Sequence, residues 1–182
     1  MKEKTSYDIQ SVLREMRDEY WRGLEATEEE SHGEAADYLI LRLGGERIGI
    51  ATGLAREVLR TPRLIRVPQV PAHIRGVINL RGQIVAVTDL GRLLGLSEAT
   101  AAGPSRLVVV TAEGLTTALL IDAVEGIRSV PLAAIEPLTD GLARFPREAV
   151  VGQLADGDGL VVLLDLPQLF RQANFIVEQQ AE

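Results

Sequence analysis

The residues able to do chemistry are few, and their spacing does not bring them together. There are two histidines and no cysteine: His32 sits in an acidic stretch and His73 follows Pro71. Neither has a second ligand at metal spacing, so both read as solvated surface residues, and no metal or cofactor is expected. Asp156-Gly-Asp158-Gly159 resembles half a calcium loop, but the bidentate glutamate that closes such a loop is missing. A hairpin turn accounts for it. Asp89 and Asp165 each precede a short helical pattern, where a carboxylate accepts from the free amides of the first turn. The chain has no nucleophile elbow, no phosphate-binding glycine loop and no kinase motif set. An enzyme is not expected. One charge is oddly placed: Arg81 sits in an otherwise apolar hairpin, where an unpaired charge would be expensive if buried.

The elements that would position these residues are mostly strands. Gly76 to Leu80 and Gln83 to Thr88 are apolar, β-branched runs around Arg81-Gly82, which reads as a hairpin. Leu90, Leu93 and Leu94 then give a helical turn that Gly95 closes. Upstream, Tyr38–Leu43 and Arg47–Ile50 flank Gly44-Gly45. Downstream, Leu107–Thr111 and Leu115–Ile121 flank Glu113-Gly114, and Val150–Leu164 folds around 156–159. A last helix opens at Asp165 and Pro167, with Leu166, Leu169, Phe170, Ala173 and Ile176 on its apolar face. Residues 1–26 carry Ile9, Val12, Leu13, Met16, Tyr20 and Leu24 on one helical face, followed by an acidic linker from Glu28 to Glu34. This predicts a core of residues 38–172 that folds without that helix.

The layout occurs twice. Gly76-Val-Ile…Gly82-Gln-Ile-Val…Asp89-Leu90…Leu93-Leu94 matches Gly152-Gln-Leu…Gly159-Leu-Val-Val…Asp165-Leu166…Leu169-Phe170. A looser echo relates the stretch from Gly45 through Glu57-Val58 to Pro62 with the stretch from Glu113 through Ile127 to Pro131. The offset is too long for a solenoid repeat and suits a small barrel. The fold class is therefore all-β: two related antiparallel β-barrels packed together, with short helices and an N-terminal helical extension. No strand–helix–strand alternation argues for a parallel sheet.

Composition narrows the partners. A net charge of −7 and 4% aromatic residues disfavour nucleic acid. No apolar run is long enough to span a bilayer, so direct membrane insertion is not expected. The first ten residues lack the apolar core of a secretion signal, and with no cysteine a cytoplasmic location is expected.

The block Gly76-Val-Ile-Asn-Leu-Arg-Gly82, with Glu57-Val58 and Val67-Pro68 upstream and Ile121-Asp122-Ala-Val124 downstream, strongly resembles the CheW-type chemotaxis coupling proteins. The resemblance spans about residues 37–172. It departs at Ala86, where the family commonly has proline, and at Gly91, where an arginine is frequent. It implies a double five-stranded, SH3-like barrel over 37–176, preceded by a helix and linker (1–36) and followed by a tail (177–182). It also implies a non-enzymatic adaptor lying in the cytoplasm at membrane-anchored receptor arrays. The implied partners are the cytoplasmic tip of methyl-accepting chemoreceptors, the regulatory domain of a CheA-type histidine kinase and other CheW-like domains. A structural, array-building role without kinase activation is the alternative. The residues implied in partner contact are Glu57 and Arg81, expected to form a partly desolvated ion pair, and Gly76, Ile121 and Val124. A bulky residue at Gly76 is expected to spare the fold.

Overall fold

The computed structural model describes residues 33–96 and 104–173. The helix expected over residues 1–26, His32, Ile176 and the tail lie outside them. Among the described residues the strands are β1 (Ala35–Leu43), β2 (Glu46–Ala51), β3 (Ala55–Arg60), β4 (Ile74–Leu80), β5 (Gln83–Asp89), β6 (Arg106–Ala112), β7 (Leu115–Ile121), β8 (Ala123–Pro131), β9 (Val150–Asp156) and β10 (Gly159–Leu164). Two short helices, α1 (Leu90–Leu93) and α2 (Leu166–Gln172), follow β5 and β10.

Three of the hairpins close through two-residue turns with positive φ at both central positions: Gly44-Gly45, Arg81-Gly82 and Glu113-Gly114. That geometry matches the natural twist of paired strands. It suits glycine well and a side chain poorly, so Arg81, at φ 52°, carries a backbone strain that an asparagine there would largely relieve. The Asn79 carboxamide oxygen accepts from the Gly82 amide at 2.8 Å and pins the turn.

The strands form two five-stranded sheets, ordered β8-β1-β2-β10-β9 and β3-β6-β7-β5-β4. Each order turns into the other when every strand is advanced by five, so the repeat seen in the sequence is a repeat in space. The repeats do not each build a barrel, however. The β1–β2 hairpin of the first repeat lies between β8 and β10 of the second, and β6–β7 of the second lies between β3 and β5 of the first. Each repeat gives its leading hairpin to the other's barrel. Two of the resulting contacts, β2 with β10 and β5 with β7, are parallel, so the expectation of wholly antiparallel barrels is corrected.

The exchange explains the sequence pattern of these hairpins. On β1, Leu39, Leu41 and Leu43 face a core shared by the two barrels, while Tyr38 and Ile40 fill the first barrel. On β6, Val108 and Val110 enter the shared core, and Leu107 and Val109 fill the second barrel. Both faces are buried, so the runs are continuously apolar rather than alternating.

The duplication extends to single atoms. The Asp89 amide donates to the His73 carbonyl at 2.7 Å, and the Asp165 amide to the Ala149 carbonyl at 2.9 Å. The Asp89 carboxylate caps α1 through the Arg92 amide, and that of Asp165 caps α2 through the Gln168 amide. A Cβ on Gly76 would lie 2.4 Å from the Ile65 carbonyl oxygen, and one on Gly152 2.6 Å from that of Glu136. These glycines let a loop backbone close each barrel.

The exchange has a direct test. Fragments cut within residues 97–103 should each fail to show a cooperative melt alone and should recover one when mixed. A fragment 101–182 that melts cooperatively by itself would contradict the interlocked topology.

Candidate functional site

Of the residues expected at a partner site, the structure joins Glu57 and Arg81. Arg81 Nη2 lies 2.9 Å from Glu57 Oε2, tying β3 to the β4–β5 turn. The arginine side chain is 80% exposed and the glutamate 23%, so only the carboxylate is appreciably desolvated and the expected mutual burial is corrected. Such a pair contributes at most about 1 kcal/mol to stability. Arg81 thus occupies a strained position for little gain in stability. Val58 and Ile84, near the pair in sequence, are 45% and 67% exposed.

The other three expected residues are structural. Ile121 is 1% exposed in the shared core and offers no surface, whereas Val124 packs against that core and is only partly buried. Their apolar run marks the end of an exchanged hairpin and its continuation into β8. Asp122, between them, accepts from the Gly44 amide at 2.8 Å and so fixes the β1–β2 turn. Gly76 is buried at φ 146° against the Ile65 carbonyl. A bulky residue there would collide with backbone, so the expectation that it spares the fold is revised. His73 is half-buried rather than solvated, and burial lowers its pKa.

Sequence reasoning missed an ion network in the first barrel. Arg47, 8% exposed, bonds Glu125 at 2.8 Å and Asp156 at 2.7 Å. Arg42 reaches Glu125 at 2.7 Å, and Arg128 reaches Asp156 at 2.6 Å. Glu125 is the residue skipped where β1 pairs with β8, between Gly126 opposite Ile40 and Val124 opposite Leu41. That bulge turns its side chain toward the arginines. Hydrogen bonds from Arg47, then Arg42, hold the Glu125 carboxyl down at about 2, and the Arg47 bond lowers Asp156 as well. Glu125 and Asp156 in turn push the Arg47 pKa above its ordinary value. Asp156, read from the sequence as part of a turn, both shapes that turn through the Asp158 amide and anchors the network. The two barrels therefore tie strand to turn with opposite polarity: Glu57 to Arg81 in one, Arg128 to Asp156 and Asp158 in the other.

Other buried polar groups are committed to the fold. Thr88 and Thr117 share a hydroxyl bond at 2.8 Å, and the Gln153 side chain accepts from the Thr139 amide at 3.0 Å. Among the described residues no buried side-chain polar atom lacks a partner, and no group of acidic or histidine side chains is arranged to hold a metal.

A family model described as the CheW-like domain matches residues 37–174. The chain belongs to the CheW-like family. It is 34% identical over 139 residues to Protein FrzA of Myxococcus xanthus, covering 76% of this chain and 87% of that one. It is 28% identical over 134 residues to Chemotaxis protein CheW of Rhizobium meliloti, covering 74% and 86%. The crystal structure of the scaffolding protein TtCheW from Thermoanaerobacter tengcongensis superposes with a TM-score of 0.67 at 26% identity, over 76% of this chain and 90% of the other. This CheW-like chain shares that two-subdomain SH3-like fold.

Two predictions follow from the ion pairs. Both carboxylates of the Arg47 network have folded pKa values below their unfolded ones. Their contribution is thus complete above about pH 4.5 and is lost as pH falls toward 2. Arg47→Met should cost about 3 kcal/mol at neutral pH and flatten that acid limb in denaturant titrations. A variant as acid-sensitive as the parent would show that the network does not set it. Arg81→Asn should leave the melting temperature unchanged or raised, because a strain of about 1 kcal/mol is relieved, while weakening partner binding. A drop of several degrees would make Arg81 a structural residue.

Proposed function

We propose that the protein is a non-catalytic adaptor that couples chemoreceptors to a CheA-type histidine kinase in a chemosensory pathway. Membership of the CheW-like family supports this, as do relatives named chemotaxis proteins and a structural neighbour named a scaffolding protein. The observation that carries it is the pair Glu57–Arg81: a turn arginine held out at a conformational cost and aimed by a glutamate on the neighbouring strand. The other buried polar groups are used in capping, closure and the Arg47 network, in keeping with a protein that binds rather than converts. No helix among the described residues is long and apolar enough to cross a membrane, so attachment to receptor arrays in the cytoplasm would run through protein contacts. The partners are the cytoplasmic tip of the receptors, the regulatory domain of the kinase and other CheW-like domains. Val58 and Ile84, near the pair in sequence, supply exposed apolar area on the same barrel.

Reconstitution decides the matter. With a receptor-bearing membrane and its kinase, the protein should raise kinase autophosphorylation severalfold, and Glu57→Ala or Arg81→Asn should lower that gain. Co-sedimentation with receptors and kinase but no stimulation would replace the adaptor with an array-building role.

A further inference from the structure

The net charge of the chain conceals a strong local asymmetry. Residues 55–92 hold seven arginines against two carboxylates, an excess of five positive charges in a chain whose net charge is −7. All lie in or beside the second barrel, and three converge. Arg66, Arg75 and Arg92 line an open cleft of about 670 Å³ together with Leu64, Val67, Ala72 and Ile74, and among the described residues no acidic one lines it. Each guanidinium is placed by a distinct device. Arg75 is the residue skipped where β4 pairs with β5, between Ile74 opposite Thr88 and Gly76 opposite Val87, so the bulge swings it out of the ladder. Arg92 is on α1 and donates to the Ala72 carbonyl at 3.2 Å. Arg66 lies on the β3–β4 loop, one residue from the bridge of Ile65 to Val77, and forms no ion pair with the described residues. Behind them the buried Asp89 carboxylate stands 3.7 Å from Arg75 and 3.8 Å from Arg92. The Asp89 carboxylate thus faces two of the three guanidinium groups, and Arg66 stands apart from it.

We propose that this cleft is a docking site for an acidic segment of a partner protein, carrying carboxylates to Arg66, Arg75 and Arg92 and an apolar side chain onto Leu64, Val67 and Ile74. Charge complementarity selects an anion, and the guanidinium fork suits a carboxylate. The surroundings select a peptide. An extended polyanion or a membrane would meet the net negative charge of the rest of the molecule, and the apolar lining, with Val67 38% and Val70 36% exposed on the same loop, suits side chains rather than phosphates. The second barrel pays for this polarity elsewhere too: Arg60 and Arg106 sit directly opposite each other on β3 and β6, a like-charge pairing that destabilises a sheet. The assignment rests on the adaptor reading only for the class of partner, and it concerns a different surface from the Glu57–Arg81 tip.

The test uses the full chain and a short fluorescein-labelled peptide of alternating glutamate and leucine, with a glutamine counterpart, read by anisotropy at low and high salt. The glutamate peptide should bind. The glutamine peptide and Arg66→Glu should each weaken binding about tenfold. Arg147→Glu, which alters net charge equally on the exposed surface of the first barrel, should change it less than about twofold. Equal losses in the two variants, or no binding by the parent, would overturn the site. So would tighter, Arg66-dependent binding to heparin or to phosphatidylglycerol vesicles, or Arg66-dependent self-association in sedimentation velocity. Kinase stimulation by the parent is read separately: its absence beside intact peptide binding removes the adaptor reading and leaves the cleft.

Discussion

A hairpin that is apolar on both faces must be covered on both, and this chain has two of them. β1–β2 and β6–β7 can satisfy that requirement only by lying inside a barrel on one side and against the shared core on the other. Each is flanked by strands from the opposite repeat, so neither barrel is complete without both halves of the chain. The helices extend the same core: Leu90 and Leu94 of the α1 turn, and Leu166, Leu169 and Phe170 of α2, are buried in it. The two barrels thereby hold a fixed relation to each other, and surfaces on either are presented in one rigid frame.

On that frame, several of the ion-paired side chains sit where the regular ladder is broken. Arg81 occupies a left-handed turn position, Arg75 and Glu125 are bulged residues, and Asp156 ends a strand. A strand interior alternates its side chains between two fixed faces, whereas a bulge or a tight turn can aim one side chain elsewhere. Glycine serves the opposite purpose at 76 and 152, where a loop carbonyl occupies the space that a Cβ would fill. Closure of each barrel and display of its charges therefore occur within a few residues of one another.

Much of this was legible in the sequence. Turn residues and apolar runs located the hairpins, the 76-residue recurrence exposed the duplication, and Asp89 and Asp165 announced their caps. The exchange was not legible, because strand periodicity says which face is buried but not which barrel a strand joins. Ile121, offered as a contact residue on the resemblance and its apolar character, lies instead in the shared core, since a strand buried on both sides looks like an apolar patch. Gly76 was expected as a partner-contact position, and what requires a glycine there is a carbonyl eleven residues away. Arg47 gave no signal, because a charged residue in a short strand ordinarily faces solvent; only the bulge at Glu125 and the turn at Asp156 make its burial affordable. The arginine excess over 55–92, by contrast, was countable and was masked by the acidic total.

The pairing of β1 with β8 also has a consequence in time. Ala35 meets Pro131, so the first strand cannot reach its neighbour until nearly a hundred further residues have been made. At a synthesis rate of about 5–20 residues per second, the apolar faces of β1 and β2 wait roughly 5–20 s on the ribosome without their native cover. The first repeat is therefore a nascent chain in need of shelter, and the time of greatest exposure to misassembly is set by the order in which the gene is read rather than by the stability of the finished barrels.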